Sequence, residues 1–239
     1  MGCCFSASFP PADAFLVDQP EAAVSLAPGF PRHVHVDPWL TMDEIPGSDL
    51  EVVDAESAET LATVCMPEPG TFGDGATVLD PNEKPIAFLG TGETERRDAL
   101  SPSSYNIYAP RPMFEGQEQV TPVYRDTKCL TFPNTYLWAT VSRVPLSPVV
   151  KVKDARGVPI GEGYAYANLF APHKFKFTRS DGTGAMWSGK TDDSRSDVRV
   201  AKGTDPLLSI CVMFAQSLAL VELKKDKRKR PFVKTSKHY

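Results

Sequence analysis

The sequence predicts a mainly β domain that ends in one apolar helix. Three observations carry this. Twenty-two prolines and sixteen glycines divide the 239 residues into short segments. From about residue 50 onward, short runs alternate apolar and polar residues between turn residues. Residues 207–223 then form a nearly unbroken apolar run of a different character.

The strands follow in chain order. Residues 61–65 read as a strand, and residues 76–79 and 85–89 as a hairpin reversed by Asp80-Pro81-Asn82-Glu83-Lys84. Residues 105–108, 119–124 and 136–144 are further strands. A second hairpin joins residues 149–152 to Pro159-Ile160 through Asp154-Ala155-Arg156-Gly157. Lys174-Phe175-Lys176-Phe177 alternates strictly, and Ser180-Asp181-Gly182-Thr183-Gly184 turns the chain into residues 185–188. Residues 196–201 complete the set. Asp80-x-x-x-x-Pro85-Ile86 and Asp154-x-x-x-x-Pro159-Ile160 repeat one spacing, which suggests two related halves.

Residues 7 to about 50 read as a tether. Pro10, Pro11, Pro20, Pro28, Pro31, Pro38 and Pro46 exclude a helix or a central strand over most of it. Within it, His33-Val34-His35-Val36-Asp37 alternates like an edge strand or extended arm, with both imidazoles on one face. A His-x-His pair can ligate a metal, but no third ligand of suitable spacing follows, so no metal site is expected.

Thr204-Asp205-Pro206 is a helix start, a capping residue followed by Pro in the first turn. The run that follows is apolar around its whole circumference, so something must surround it. At about 1.5 Å per residue it is long enough to cross most of a bilayer. Its Ser209, Gln216, Ser217 and Glu222 suit a protein core better than lipid. The basic flank Lys224-Lys225-Asp226-Lys227-Arg228-Lys229-Arg230 would also end on the wrong side of a membrane if the N-terminus is acylated in the cytosol. The expectation is a helix buried inside the protein.

The N-terminus carries the acylation pattern. Met1-Gly2-Cys3-Cys4-Phe5-Ser6 is Met-Gly-x-x-x-Ser, which exposes the Gly2 amine for myristate, and Cys3 and Cys4 follow where a membrane-docked thiol accepts palmitate. One myristoyl chain anchors only marginally, at roughly 0.8 kcal/mol per buried CH₂, so a second chain is what makes anchoring stable. Gly2, Cys3 and Cys4 are therefore the expected lipidation sites. A lipid-anchored peripheral protein on the cytoplasmic face of a membrane follows.

The charge is split. Residues 224–239 carry eight Lys/Arg against one acid, and the rest carries 18 bases against 29 acids. An acidic body with a basic tail does not fit a nucleic-acid-binding domain, and no nucleic-acid partner is expected. The tail suits anionic lipid, a nuclear-import signal or plain solvation. On the first of these, Lys224, Lys225, Lys227, Arg228, Lys229 and Arg230 are the headgroup-binding residues.

Catalytic patterns are not found: no Gly-x-Ser-x-Gly, Walker loop, dinucleotide fingerprint or His-Glu-x-x-His occurs. No catalytic residue, cofactor or enzymatic activity is expected. His173 reads as a solvated loop residue. Asp181-Gly182-Thr183-Gly184 with Lys190 lacks the helix N-terminus that phosphate cradling requires. Trp138, Trp187, Tyr164 and Tyr166 read as wall packing, and Cys65, Cys129 and Cys211 as small hydrophobes in a reducing compartment.

Thr204-Asp205-Pro206-Leu207-Leu208 running into the apolar helix, together with the hairpin Val78-Leu79-Asp80-x-x-x-x-Pro85-Ile86, resembles the tubby C-terminal-like superfamily. That group comprises the tubby proteins, the plant LURP-one-related proteins and the phospholipid scramblases. The hairpin is similar to the first Val-x-Asp-x-x-Gly-x-x-Ile hairpin of LURP-one-like chains, with Asn82-Glu83-Lys84 where Gly is usual. The resemblance implies a closed antiparallel β-barrel of about twelve strands around a buried C-terminal helix. It divides the chain into an acylated Pro-rich arm (1–50), a barrel (51–223, with its helix at 206–223) and a basic tail (224–239). It further implies binding of anionic phospholipid or phosphoinositide, and leaves phospholipid scrambling open. The scramblase calcium segment would fall on residues 192–197, which lack the Gly and terminal Glu of an EF-hand loop and read as a solvated turn. An acyl-anchored scaffold that recruits protein partners is the alternative.

Overall fold

The computed structural model describes residues 16–19, 25–37, 49–65, 76–91, 104–120, 134–144, 147, 149–168, 171–181, 184–191 and 195–229. Twelve strands and one helix follow in order: β1 (His33–Val36), β2 (Leu50–Asp54), β3 (Thr60–Cys65), β4 (Ala76–Leu79), β5 (Pro85–Thr91), β6 (Ser104–Ala109), β7 (Tyr136–Arg143), β8 (Val149–Asp154), β9 (Pro159–Asn168), β10 (Ala171–Arg179), β11 (Ala185–Thr191), β12 (Ser196–Val200) and α1 (Pro206–Lys229). Each strand pairs antiparallel with its neighbours in sequence, and β1 pairs with β12 to close the barrel. A purely antiparallel meander closes only with an even number of strands, which twelve satisfies. Closure removes every unpaired edge.

Eight strands enclose a space that wall side chains can fill, and diameter grows with strand number. A twelve-stranded wall therefore needs a filler, and α1 supplies it. All of Pro206–Ser217 is buried except the partly exposed Leu208. Ile210, Phe214 and Ala215 are fully excluded from solvent beside wall residues such as Val64, Ile107 and Val141. Each wall strand turns alternate residues inward, as in β8, where Val150, Val152 and Asp154 are buried between exposed lysines. Over residues 206–217 the helix that had to be surrounded is surrounded by protein. No helix among the described residues is long and apolar enough to cross a membrane.

Polar groups inside are mostly answered locally. Ser209 Oγ donates to the Asp205 carbonyl at 2.8 Å and Ser217 Oγ to the Met213 carbonyl at 3.0 Å. Gln216 is fully buried, and its amide has no hydrogen-bond partner among the described residues. Cys211 is buried in α1, and loss of hydration, reinforced by the charge of Asp205, pushes its thiol well above the ordinary range.

Asp205 caps α1 and ties the N-terminal segment to it. Its Oδ1 accepts from the Leu208 amide at 2.9 Å, while Oδ2 accepts from Ser25 Oγ at 2.9 Å and from the Leu26 amide. Asp205→Ala removes the cap and leaves a buried Leu26 N–H unpaired. We expect it to lower stability by about 2–3 kcal/mol, read as the shift of the urea unfolding midpoint; Asp205→Asn, which keeps an acceptor, should cost less.

The barrel does not begin at residue 51. His33–Val36 is a full wall strand, paired with β12 on one side and β2 on the other. Pro31 and Pro38 flank this strand without interrupting it, so their density did not exclude it. Residues 16–19 and 25–37 also lie on the barrel: the Val17 amide donates to the Ala185 carbonyl at 2.9 Å and the Gln19 amide to the Lys202 carbonyl at 2.7 Å. Strand β2 has no counterpart among the sequence-predicted strands. Gln119 and Val120 are not in a strand, and the rest of that segment lies outside the described residues. The helix does not stop at residue 223 but continues to Lys229. Lys, Arg and Glu are strong helix formers and no Gly or Pro intervenes before Pro231, so the change of composition does not end the helix.

The repeated Asp spacing is a shared turn. At Asp80, Oδ1 accepts from the Asn82 and Lys84 amides, both at 2.9 Å, and Glu83 N–H donates to the Asp80 carbonyl with φ +58°. At Asp154, Oδ1 accepts from Arg156 and Val158, both at 2.9 Å, and Gly157 takes the left-handed position at φ +80°. These hairpins, β4–β5 and β8–β9, stand four strands apart. Two equal halves of twelve strands would instead relate β8–β9 to β2–β3, so the echo reports turn chemistry and not a duplication.

Candidate functional site

On the outside of the barrel, strand register assembles residues far apart in sequence. Reading across the wall, His33 pairs with Arg199, Arg199 with Ser188, Ser188 with Lys176, and Lys176 with Tyr164. Lys151 and Lys153 are exposed on β8, next in the wall. Lys151 lies 3.7 Å from Glu162, which also accepts a 2.8 Å hydrogen bond from Tyr164 Oη.

The acidic body is thus not uniform. Residues 25–148 carry eight Lys/Arg against eighteen Asp/Glu, whereas residues 149–200, which build β8–β12, carry nine against six. The barrel has a basic side, contrary to the expectation of basic charge in the tail alone. The K-V-K of β8 and the Lys176-Phe177 alternation of β10 held the signal: alternation in a strand sends Lys151, Lys153 and Lys176 outward.

A tighter cluster lies where the barrel closes. His33 and His35 on β1 face Asp197 on β12, with His33 Nε2 2.6 Å and His35 Nε2 3.3 Å from Asp197 Oδ1. The imidazoles meet edge to face, with centroids 5.5 Å apart and an interplanar angle of 84°. Arg195 Nη1 donates to His35 Nδ1 at 3.2 Å, and Arg199 Nε lies 3.4 Å from the other carboxylate oxygen of Asp197. Burial, and after it the Arg195 charge, lowers His35 below the usual imidazole value, which favours the neutral ring. For Asp197 burial acts upward, but the hydrogen bond and charge of His33, then Arg199 and His35, outweigh it and hold the carboxyl low.

The sequence found no third ligand to accompany the His-x-His pair. The fold supplies one from 162 positions beyond His35, a separation no local spacing could reveal. Asp197 lies in β12 and not in a solvated turn; residues 192–194 of the suggested calcium segment lie outside the described residues.

The expected lipidation sites Gly2, Cys3 and Cys4 lie outside the described residues. Of the expected headgroup-binding residues, Lys224, Lys225, Lys227, Arg228 and Lys229 form the end of α1, and Arg230 lies outside the described residues. Cations at a helix C-terminus also complement its dipole, so the helix itself gains from them. Trp138 packs in the core, with its Nε1 donating to the Arg111 carbonyl at 2.8 Å. The segment 180–184 links β10 to β11, two strands, and Gly182 and Thr183 lie outside the described residues.

No protein-family model matches the chain. No curated protein matches it either. Among solved structures, the X-ray structure of a protein from Arabidopsis thaliana aligns over 86% of this chain and 99% of its own, at 12% identity and a TM-score of 0.45. At that level the likeness carries no functional argument, and the barrel rests on its own strand pairing.

Proposed function

We propose that this chain is a lipid-anchored peripheral membrane protein that binds anionic phospholipid headgroups through the basic side of its barrel and the basic end of α1. The observation that carries the reading is the segregation of charge onto β8–β12, with Lys151, Lys153, Lys176 and Arg199 on the outer wall. The acylation pattern belongs to the same picture. Residues 16–19 lie beside β11 and the β12–α1 link, so Leu16 sits at the basic side of the barrel. Between Gly2 and Leu16 there is at most about 50 Å of chain, which keeps that side within reach of the bilayer holding the acyl groups. Each Lys or Arg near an anionic leaflet contributes about 1 kcal/mol.

The closed twelve-stranded barrel around a buried helix also supports the tubby-like reading of the chain. Among the activities that reading implies, headgroup binding is the one the charge pattern favours.

Flotation of non-acylated, full-length protein tests this. Vesicles containing phosphatidylserine or phosphoinositide are expected to retain it, phosphatidylcholine vesicles are not, and added salt should release it. Combined Lys151→Glu, Lys153→Glu and Lys176→Glu should reduce retention at least ~10-fold. Equal binding to neutral vesicles, or retention unmoved both by this change and by deletion of residues 224–239, defeats the reading.

A further inference from the structure

We propose that His33, His35 and Asp197 form a binding site for one divalent transition-metal ion of the zinc type, joining the first strand of the barrel to the last. The three side chains each offer one ligand atom, and all three atoms lie within 4.8 Å of one another. A tetrahedral ion with bonds of about 2.0–2.1 Å separates its ligands by about 3.3 Å. The His35–Asp197 distance of 3.3 Å already matches, and the His33–Asp197 distance of 2.6 Å has to open by about 0.7 Å. All three residues are part-exposed, so an ion can enter from solvent.

The donor set selects the class of ion. Two imidazole nitrogens with one carboxylate oxygen suit zinc and its neighbours, whereas calcium and magnesium take oxygen shells. Three protein ligands leave a fourth position for water or an anion. The two carboxylate oxygens are already distinguished: Oδ1 faces the imidazoles, and Oδ2 faces Arg199. Besides that opening, loading requires two local changes. The ring proton that His33 presents to Asp197 shifts to Nδ1, as metallation at Nε2 requires. Arg195, exposed and donating to His35 Nδ1, has to release that nitrogen, because a metal-bound imidazole donates from its other nitrogen.

The position gives the ion a consequence. Strands β1 and β12 are the pair whose four residue pairings, His33↔Arg199 to Val36↔Ser196, close the barrel. An ion bound only by the closed form stabilises it by mass action.

The test uses the full chain carrying Cys3→Ser and Cys4→Ser, which removes the adjacent thiol pair as a competing ligand. Zinc alone is titrated, with calorimetry for stoichiometry, the histidine ring ¹⁵N resonances for location, and melting temperature for coupling to the fold. The expected result is one ion per chain, shifts at His33 and His35 but not at His173 or His238, and a higher melting temperature. His33→Ala and Asp197→Asn should each weaken binding beyond the ~10–100-fold that loss of an outer-shell partner costs. Arg195→Ala should tighten it, an effect that a purely structural role for the cluster does not produce. Asp197→Asn keeps a hydrogen-bond acceptor for His33 and so guards against simple misfolding. Zinc binding that these variants leave unchanged, shifts confined to the other histidines, or no binding below millimolar zinc overturns the proposal.

Discussion

Truncating Phe214 to alanine should cost about 3–5 kcal/mol of unfolding free energy, in the range that cavity formation in a well-packed core produces. Phe214 is fully buried on α1, inside a wall too wide to be filled by its own side chains. Removing the ring leaves a cavity that neither the helix nor the closed wall can collapse into, since each wall strand is held on both sides by its neighbours. Equilibrium urea unfolding measures it. Val158→Ala, at a site 52% exposed, is the control and should stay within about 0.5 kcal/mol. A loss below about 1 kcal/mol for Phe214→Ala would show that α1 is not the barrel's filler.

Gly161→Ala should be nearly as damaging, although it adds one methyl group. A Cβ at Gly161 on β9 would lie 2.1 Å from the Thr178 backbone carbonyl oxygen and 2.8 Å from the Phe177 ring. The obstacle is backbone, so a rotamer change cannot relieve it and β9 and β10 must separate. The expected cost is about 3 kcal/mol, at the upper end of overpacking effects. Gly157→Ala provides the contrast. That Cβ meets open space, but φ is +80°, so the cost there is conformational and about 1 kcal/mol. Thermal melts of the two variants should rank Gly161→Ala as the less stable; the reverse order would contradict the close approach of β9 to β10.

Much of the wall was legible because its signals are local. The turns at Asp80 and Asp154 use a carboxylate to hold amides two and four residues ahead, so their sequences declare them. Alternation in residues 174–177 gave β10, and Asp205-Pro206 gave the helix start as it stands in the fold. The alternation of strand β1 predicts an edge strand or an extended arm and not a wall strand, because what makes it a wall strand is pairing with a strand 160 residues away. The end of α1 was misplaced because the composition there changes while the helical propensity does not.

The candidate sites were the least legible, for the same reason. His33 and His35 were visible as a pair, but their third partner, Asp197, reaches them only through the β1–β12 register. The lysines of β8 and β10 were visible as alternating residues, but the basic side exists only because those strands are consecutive in the wall.

By itself the sequence determined a chain of short strands with a capped, wholly apolar helix at the end, and it carries an acylation pattern at the start. Those features depend on neighbours within a few residues, where turn geometry, strand alternation and helix period act. Tertiary structure alone decided that the first strand closes on the last, which strands wrap the helix, and which charged groups share a surface. Each of those depends on hydrogen-bond register between distant segments, and register is set only when the whole barrel closes.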